Sequence, residues 1–461
     1  MRIICCMVLA HVALGVAGAQ IKLPPHSREV LPNGVVLEVM QRKGVPLVDI
    51  SIAIKGGMES DPDDEPGLSG VVADLLRKGT ATKTAQQFSE AIDGLGGTIR
   101  TRADHQASLV ESEFLSKDFS SGLALVADAV AHPAFEGAEV AKLLAQRIDD
   151  IKALKDNPAE AIEPYVYSFF FEKSHPYGRV VNEISVRRMT RDRIAEFHKR
   201  QYVGSNTIVA VVGDIDPEQV KAEVGRTFGT LPAGEAYDWH APIHLPESPQ
   251  ARLLLVNKPQ ATQTYFYIAQ QGIYRTDPDR VPLQLVDIVF GGRFTSMLNE
   301  ALRIKSGLTY GAQNVLERDR LQGMNAISTF TKVDSTGNAI DLALQTLGML
   351  HEKGITAEQL ASAKAYMKGV YPRHVLESTS QLASLLLQLD VFGLDDSEIT
   401  EMFHRIDAVT LAKANEIARS HFQTSGLVFV LLGDGEKIRS LSSKYAPEID
   451  ELSITSPGFG L

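Results

Sequence analysis

The sequence predicts an α+β protein made of two homologous halves, each a largely antiparallel β-sheet covered by helices. The first observation behind this prediction is an internal repeat. A helical stretch at 190–202 and an apolar strand at 207–212 recur at 410–422 and 427–432, and a Gly-Asp turn follows each strand. The second observation is that strand-like and helix-like periodicities alternate within both halves. A constant offset across helix, strand and turn predicts a duplicated structural unit.

The first half begins with two predicted strands. After the turn Asn33-Gly34, the apolar run 35–40 is predicted to form a hairpin with 47–54, in which branched apolar residues alternate with polar or small ones. Helices are predicted at 61–80 and at 138–154, where apolar residues recur with helical spacing. These elements would place helices on one face of a sheet.

The second half repeats the arrangement, with a predicted strand at 263–269 and a predicted helix at 357–367. Between the halves, residues 231–250 contain four prolines and cannot form regular structure. We therefore predict an N-terminal domain at 20–230, a linker at 231–250 and a C-terminal domain at 251–461.

The segment from Met1 to Ala19 has the features of a secretory signal peptide. Arg2 precedes an apolar run at 3–16, which is too short to span a bilayer, and Ala17-Gly18-Ala19 forms an A-x-A cleavage site. Cleavage after Ala19 predicts export to a bacterial periplasm or secretion. Both cysteines lie inside this segment, so the mature chain would contain no disulfide and no zinc-thiolate site.

The composition is that of a globular protein, with 44% hydrophobic and 22% charged residues. The chain carries 46 Lys and Arg against 57 Asp and Glu, a formal net charge of −11, and loss of Arg2 with the signal peptide would make it −12. An acidic balance argues against a nucleic-acid-binding surface and against attraction to acidic lipids. No membrane-spanning segment is predicted in the mature chain.

Residues 67–80, Gly-Leu-Ser-Gly-Val-Val-Ala-Asp-Leu-Leu-Arg-Lys-Gly-Thr, form a predicted amphipathic helix. The Gly-Leu start and the Lys-Gly-Thr end of this stretch resemble the zinc helix of the pitrilysin/insulinase family of peptidases, which carries H-x-x-E-H between them. Where that motif has its two histidines and its glutamate, this chain has Gly70, Ala73 and Asp74. Two imidazoles at i and i+4 bind the zinc, and the glutamate activates its water. The resemblance therefore implies a degenerate helix that binds no zinc.

The stretch around Asp150 resembles the family segment that places the third zinc ligand, a glutamate just before an isoleucine. Here Asp150 precedes Ile151, and its side chain is one methylene shorter. Two carboxylates, Asp74 and Asp150, make a poor zinc site without imidazole. The alternative is that Asp149 and Asp150 are simply solvated residues of a helix.

Two stretches of the second half resemble the family's C-terminal signature. The first contains Gly291, Gly292, Arg293 and Phe294, and the second, 302–310, contains Arg303 and Tyr310 seven positions apart. The resemblance implies that Arg303 and Tyr310 hold a substrate carbonyl, because a guanidinium and a phenol are fixed donors for a carbonyl oxygen. It also implies that residues 291–294 contact the substrate. The alternative is structural, with Arg303 capping a helix and Tyr310 in the core.

The loss of the zinc motif and the retention of the Arg and Tyr pair resemble the non-catalytic subunit of a two-subunit member of this family. That resemblance implies a heterodimer with a zinc-bearing insulinase-family paralogue, a peptide substrate, no cofactor on this chain and zinc on the partner. Two alternatives remain open. One is a scaffold subunit of a membrane complex without peptidase function, and the other is a peptidase whose rebuilt metal site uses Asp74 and Asp150.

Overall fold

The computed structural model describes residues 21–239, 243 and 250–460. The predicted signal peptide and most of the proline-rich part of the predicted linker lie outside these residues. The first sheet contains β1 (His26–Val30), β2 (Val36–Gln41), β3 (Leu47–Lys55), β4 (Thr98–Ala103), β5 (Ala107–Leu115) and β6 (Thr207–Gly213). The second contains β7 (Arg252–Asn257), β8 (Gln263–Gln271), β10 (Ala312–Leu316), β12 (Met324–Lys332), β13 (Val428–Gly433) and β14 (Glu448–Ser453), and the short strands β9 (Ile273–Tyr274) and β11 (Arg318–Asp319) pair separately.

Helices cover both sheets. They are α1 (Leu68–Leu75), α2 (Ala85–Gly94), α3 (Phe119–Ala131), α4 (Gly137–Leu154), α5 (Pro158–Phe171), α6 (Glu183–Arg188), α7 (Arg191–Gln201), α8 (Pro217–Thr227), α9 (Arg280–Phe290), a π-helix (Asn299–Lys305), α10 (Thr336–Lys353), α11 (Ala357–Val375), α12 (Thr379–Phe392), α13 (Ser397–Thr400), α14 (Met402–Ala408), α15 (Leu411–His421) and α16 (Gly435–Ser442). In the described part of the chain, every helix is too short or too polar to cross a membrane.

The two sheets have the same topology. Their strand orders are β1-β2-β6-β3-β5-β4 and, from the opposite edge, β14-β7-β13-β8-β12-β10. The central strand β6 pairs parallel with β2 and antiparallel with β3, and β13 pairs in the same way with β7 and β8. Only the edge strands differ, because β1 is antiparallel to its neighbour whereas β14 is parallel. The predicted α+β fold with two similar halves is confirmed.

The predicted hairpin between 35–40 and 47–54 is wrong. Strands β2 and β3 are both present, but β6 lies between them and bonds to each. The turn at Asn33-Gly34 instead joins β1 to β2, and Gly34 adopts a φ of +93°, which favours glycine. All seven residues of β6 are buried, because it is a central strand of a sheet that helices cover on both faces. Alternation along a sequence identifies a strand but does not identify its neighbour.

The predicted helices differ in accuracy. Helices α4, α7 and α15 begin and end within a residue or so of their predicted bounds, and Thr190 and Thr410 cap the last two by accepting backbone N–H bonds. The helix observed within the predicted range 61–80 is much shorter than predicted. It is α1, which spans eight residues. The Asp61 carboxylate accepts bonds from the backbone N–H groups of Gly67 and Ser69, each at 2.7 Å. It therefore holds a turn rather than a helix before Leu68.

The halves exchange helices. Helix α5 of the first half packs on β8 and β13 of the second sheet, and α12 of the second half packs on β3 and β6 of the first. Each sheet is thus covered on one face by helices of its own half and on the other by a helix of the opposite half. The predicted helices on one face are present, but the second face is also buried, which the sequence pattern did not indicate.

Ionisable side chains lie between the first sheet and α12. Glu38 on β2 is only 4% exposed, and its carboxyl group lies beside Asp390 on α12. Arg28 Nε lies 2.9 Å from Asp390 Oδ1 and 3.6 Å from Glu38 Oε1. Burial, and then the neighbouring Asp390, raise the pKa of Glu38 to about 8, although Arg28 acts in the opposite direction. At neutral pH, Glu38 is therefore largely protonated and hydrogen-bonded to Asp390.

We expect Glu38→Gln to stabilise the protein at alkaline pH. In the wild type the folded chain retains a proton that the unfolded chain releases above about pH 4.5, so stability is lost as the pH rises from there towards 8. Glutamine keeps a hydrogen-bonding group and cannot ionise. Urea unfolding at pH 5, 7 and 9 should show a variant midpoint close to wild type at pH 5 and above it at pH 9.

The exposed Glu352 on α10 provides the matched control. Glu352→Gln should leave the pH profile unchanged. If Glu38→Gln and the wild type lose stability equally between pH 5 and pH 9, Glu38 does not hold the buried proton.

Candidate functional site

Helix α1 carries the three positions where the related motif has its ligands and base. A Cβ atom added at Gly70 would meet no heavy atom within 4 Å, so the position of the first ligand is open space. Ala73 is fully buried. The Asp74 carboxylate forms an ion pair with the Arg147 guanidinium of α4. Asp74, which stands at the second histidine position, is therefore already engaged in a salt bridge.

Asp150 lies one helical turn after Arg147 and is exposed on α4. The structure thus brings Asp74 to Arg147 rather than to Asp150. Among residues 21–239, 243 and 250–460, no three His, Cys, Asp or Glu side chains are arranged to hold a metal ion. Zinc sites use three or four such ligands, so the residues present here do not fit the metal.

The Gly291-Gly292 pair ends helix α9. Both backbone N–H groups donate to the Asp287 carbonyl oxygen, each at 2.8 Å, so neither is free for a substrate. Gly291 is buried, and a Cβ atom there would clash with the backbone nitrogen of Asn314. A Cβ at Gly292 would lie 2.7 Å from Asp287 Oδ2. The glycines therefore allow the close approach of a helix end to strand β10, which is a packing requirement.

A buried polar network fixes this helix end. Asn314 Nδ2 donates to Asp287 Oδ1 at 2.8 Å and lies 2.7 Å from Asn325 Oδ1. Burial raises the pKa of Asp287 to about 7, although the Asn314 bond lowers it. Because the network joins α9 to β10 and β12, the loop that follows Gly292 starts from a rigid base.

Of the two residues after the glycines, Arg293 is half-buried and Phe294 is exposed. Arg293 Nη1 donates to Ser362 Oγ at 3.0 Å, and its guanidinium lies 5.9 Å from the centre of the Tyr366 ring. Phe294 is 58% exposed, which is unusual for a phenylalanine. The guanidinium of Arg303 lies over the Phe294 ring, 4.7 Å from its centre.

Arg303 belongs to the π-helix. This rare wide turn is often found at functional sites. Leu302 is fully buried and anchors the turn, and Asn299 Oδ1 accepts the backbone N–H of Ala312 at 3.1 Å. The stack on Phe294 orients the guanidinium without using its N–H donors.

Tyr310 is 80% exposed, so the alternative that it is a core residue is wrong. The loop that carries it is held by threonines: Thr329 Oγ1 lies 3.1 Å from Thr309 Oγ1, and Thr331 Oγ1 donates to the Leu308 carbonyl at 2.7 Å. Within the described residues, neither the Tyr310 hydroxyl nor the Arg303 guanidinium has a hydrogen-bond or ion-pair partner. Two donor groups thus extend from fixed backbone, and neither uses its hydrogen-bonding capacity within the described residues.

Sequence reasoning missed the residues that support these groups. The residues that contact the predicted positions are Arg147, Asp287 and Asn314. Each of them lies either far from its partner along the chain or inside an apolar run. No local pattern marks them. Asp287, the single carboxylate of α9 and the one polar residue in its apolar stretch 285–290, was the available signal.

Two family models match the chain. The model described as insulinase (peptidase family M16) matches residues 38–181, and the one described as the peptidase M16 inactive domain matches residues 188–367. A Rickettsia bellii protein called an uncharacterized zinc protease is 28% identical over 61% of this chain and 67% of its own length. The uncharacterized zinc protease YmxG of Bacillus subtilis is 23% identical over 86% of this chain and 95% of its own length.

Solved structures share the fold. The peptidase M16 inactive domain from Pseudomonas fluorescens superimposes with a TM-score of 0.82 at 22% identity, over 89% of this chain and 98% of that one. The first half of the periplasmic protease PqqL from Escherichia coli gives a TM-score of 0.70 at 15% identity, over 93% of this chain and 98% of that one. At these identities the similarity concerns the arrangement of the two sheets and their helices.

Proposed function

Because the chain belongs to the M16 (insulinase) peptidase family and its α1 lacks the zinc ligands of that family, we propose that it is the non-catalytic subunit of a heteromeric M16 peptidase. A zinc-bearing paralogue would supply the metal and the general base. This chain would supply Arg303 and Tyr310 to the partner's site. Of the predicted substrate-binding stretch 291–294, Arg293 and Phe294 would contact the peptide, because the N–H groups of Gly291 and Gly292 are already bonded. The proposal includes export to the periplasm after cleavage behind Ala19, and the predicted domain boundaries at 230 and 251.

The observation that supports this proposal is the state of the two donors. A buried arginine is ordinarily paired, and a tyrosine in a folded chain is ordinarily at least partly buried. Here Tyr310 exposes 80% of its surface and Arg303 is stacked on Phe294 with no bonded acceptor in the described residues. Exposed groups with N–H and O–H donors unused by the protein match the needs of a carbonyl-binding site.

The chemistry of the donors follows from their charge distribution. The guanidinium and the phenol would donate hydrogen bonds to the carbonyl oxygen of the peptide bond to be cleaved. When water adds to the carbonyl carbon, negative charge grows on that oxygen, and the two hydrogen bonds strengthen in the transition state. The partner's zinc, when bound, would activate the water. On this chain, the rigid bases under Gly292 and Thr309 would keep the donors in place.

We expect the purified chain alone to hold no stoichiometric zinc and to cleave no peptide, because Gly70 offers no ligand and Arg147 neutralises Asp74. The measurement is metal analysis after dialysis, made on the chain expressed alone and on the complex captured with a tagged chain from its native host. The captured complex should contain a second M16 chain with an intact H-x-x-E-H motif and about one zinc.

Variants separate the alternatives. One tightly held zinc per isolated chain, released by Asp74→Ala and by Asp150→Ala, would establish the rebuilt metal site instead. Capture of membrane-complex subunits without any zinc peptidase would establish the scaffold role. The exposed variant Glu352→Gln should change neither zinc content nor the captured partner.

A further inference from the structure

A cavity of about 530 Å³ lies between the first sheet and the helices α11 and α12. Strands β3, β4 and β5 form its floor, and the end of α11 and the first turns of α12 form its roof. None of the residues that line it belongs to the degenerate helix or to the Arg303 and Tyr310 loops. The proposed peptidase role makes no use of it.

The floor of this cavity carries a pair of neighbouring carboxylates, and Arg100 and His374 also line the cavity. Asp49 of β3 and Glu113 of β5 lie directly opposite each other in the sheet register. Like charges opposite each other are destabilising unless a cation lies nearby. Glu111, two residues before Glu113 on β5, has such partners. It lies opposite Arg100 and is 3.3 Å from Arg102. In the described chain, no cationic side chain forms an ion pair with Asp49 or Glu113.

Asp49 is a buried side chain with an unused acceptor. It is 3% exposed, it lines the cavity, and its Oδ2 is buried without a hydrogen-bond partner. Burial raises the pKa of Asp49 to about 6, while the Thr379 hydroxyl acts in the opposite direction. At neutral pH this carboxylate is therefore mostly charged. A buried carboxylate with one oxygen left unbonded is costly, and a bound cation would reduce that cost.

We propose that this cavity binds a primary ammonium group on a flexible aliphatic chain, with Asp49 and Glu113 as its carboxylate acceptors. An ammonium is a compact charge with three donors, and the serine hydroxyl of Ser51 beside Asp49 offers a third acceptor. Val375 and Leu385 provide apolar walls for the aliphatic part. A bare metal ion fits less well, because no three His, Cys, Asp or Glu side chains of the described residues converge on one point.

Two sources could supply this ammonium group, a free polyamine and a lysine side chain of a peptide. Isothermal titration calorimetry on the isolated chain distinguishes them, with spermidine as one probe and a doubly capped Ala-Ala-Lys-Ala-Ala peptide as the other. The peptide with Gln in place of Lys is the neutral comparison. We expect at least one ammonium probe to bind and the glutamine peptide not to bind. Because no partner subunit is present, this result is independent of the proposed peptidase role.

Variants test the residues. Asp49→Asn and Glu113→Gln each remove one charged acceptor at nearly constant shape, and each should weaken binding by about tenfold or more. Glu352→Gln, an exposed carboxylate on α10, should bind as the wild type does. Circular dichroism checks that each variant is folded.

Binding by spermidine alone assigns the site to a polyamine, binding by the peptide alone assigns it to a lysine side chain, and binding by both shows that the ammonium group is sufficient. The proposal is overturned if neither probe binds at millimolar concentration. It is equally overturned if Asp49→Asn and Glu113→Gln bind as tightly as the wild type, since the attraction would then be a general effect of the acidic surface.

Discussion

Replacing Tyr310 by phenylalanine is expected to lower the kcat/KM of the reconstituted two-subunit peptidase by about a hundredfold. The change removes one hydroxyl and keeps the ring, which is 80% exposed and contributes little to packing. Loss of one donor to a developing oxyanion typically costs about 3 kcal/mol, or roughly a hundredfold in rate. Arg303→Ala should have an effect of similar size. The measurement is peptide cleavage by the complex at equal concentrations of both subunits.

Two further variants make this result specific. Arg303→Lys keeps the charge but loses the planar fork that orients a carbonyl, so it should also be impaired. Lys305→Ala serves as the control, because Lys305 is an exposed cation on the same π-helix and pairs with Glu300 at 3.4 Å. Assembly should survive in all of them, as checked by gel filtration. Cleavage at wild-type rates by Tyr310→Phe and Arg303→Ala complexes would reject the shared site and favour the scaffold alternative.

Removing Glu398 is expected to produce the largest loss of stability. This side chain is 3% exposed and binds three arginines: Arg275 at 2.7 Å, Arg405 at 2.8 Å and Arg280 at the start of α9. Glu398→Ala would leave three guanidinium groups without their shared carboxylate, and breaking a buried pair costs about 3 to 5 kcal/mol. Urea unfolding at pH 7 measures the loss.

The pH dependence identifies the cause. Burial alone would raise the pKa of Glu398, but the bonds from Arg280 and Arg275 outweigh it and hold the pKa below its ordinary value. The stabilisation is therefore fully present above the ordinary pKa of a glutamate and is lost as the pH falls through the lower folded value. Wild type and Glu398→Ala should converge in acid. Glu401→Ala, which removes an exposed carboxylate 3.4 Å from Arg405, should cost less than about 1 kcal/mol.

The duplicated fold could be predicted from the sequence because the repeat preserves caps as well as apolar residues. Thr190 and Thr410 both begin a helix, and each helix leads into a buried strand, β6 or β13. These signals are local and strong. The order of strands in the sheet is not local, since β6, from the far end of the first half, is inserted between β2 and β3.

The burial of polar residues under α12 could not be predicted in this way. The alternation along β3 correctly indicates that Ile50 and Ile52 face a core, and it suggests that Asp49 and Ser51 face solvent. The structure buries both faces, because a helix from the opposite half covers the second one. A single-strand pattern contains no information about an element that arrives from the other half.

The candidate site shows the same limit. The spacing of Arg303 and Tyr310 and the loss of the ligands at Gly70 and Ala73 are visible in the sequence. Their environment is not. The ion pair of Asp74 with Arg147, and the network of Asp287 and Asn314 below the glycines, join elements that are distant in the chain and depend on tertiary packing.

The exchange of α5 and α12 between the halves determines when the chain can complete its fold during synthesis. Strand β3 ends at Lys55 and leaves the ribosome long before α12, which begins only at Thr379 and must cover it. At about 5 to 20 residues per second, the ribosome needs roughly tens of seconds to make the intervening stretch. Through this interval, Met40, Ile208 and Val212 belong to an apolar face that nothing covers. Until α12 arrives, at the ribosome or after export, the first half therefore exposes apolar surface, and this is the stage at which a chaperone has most to protect.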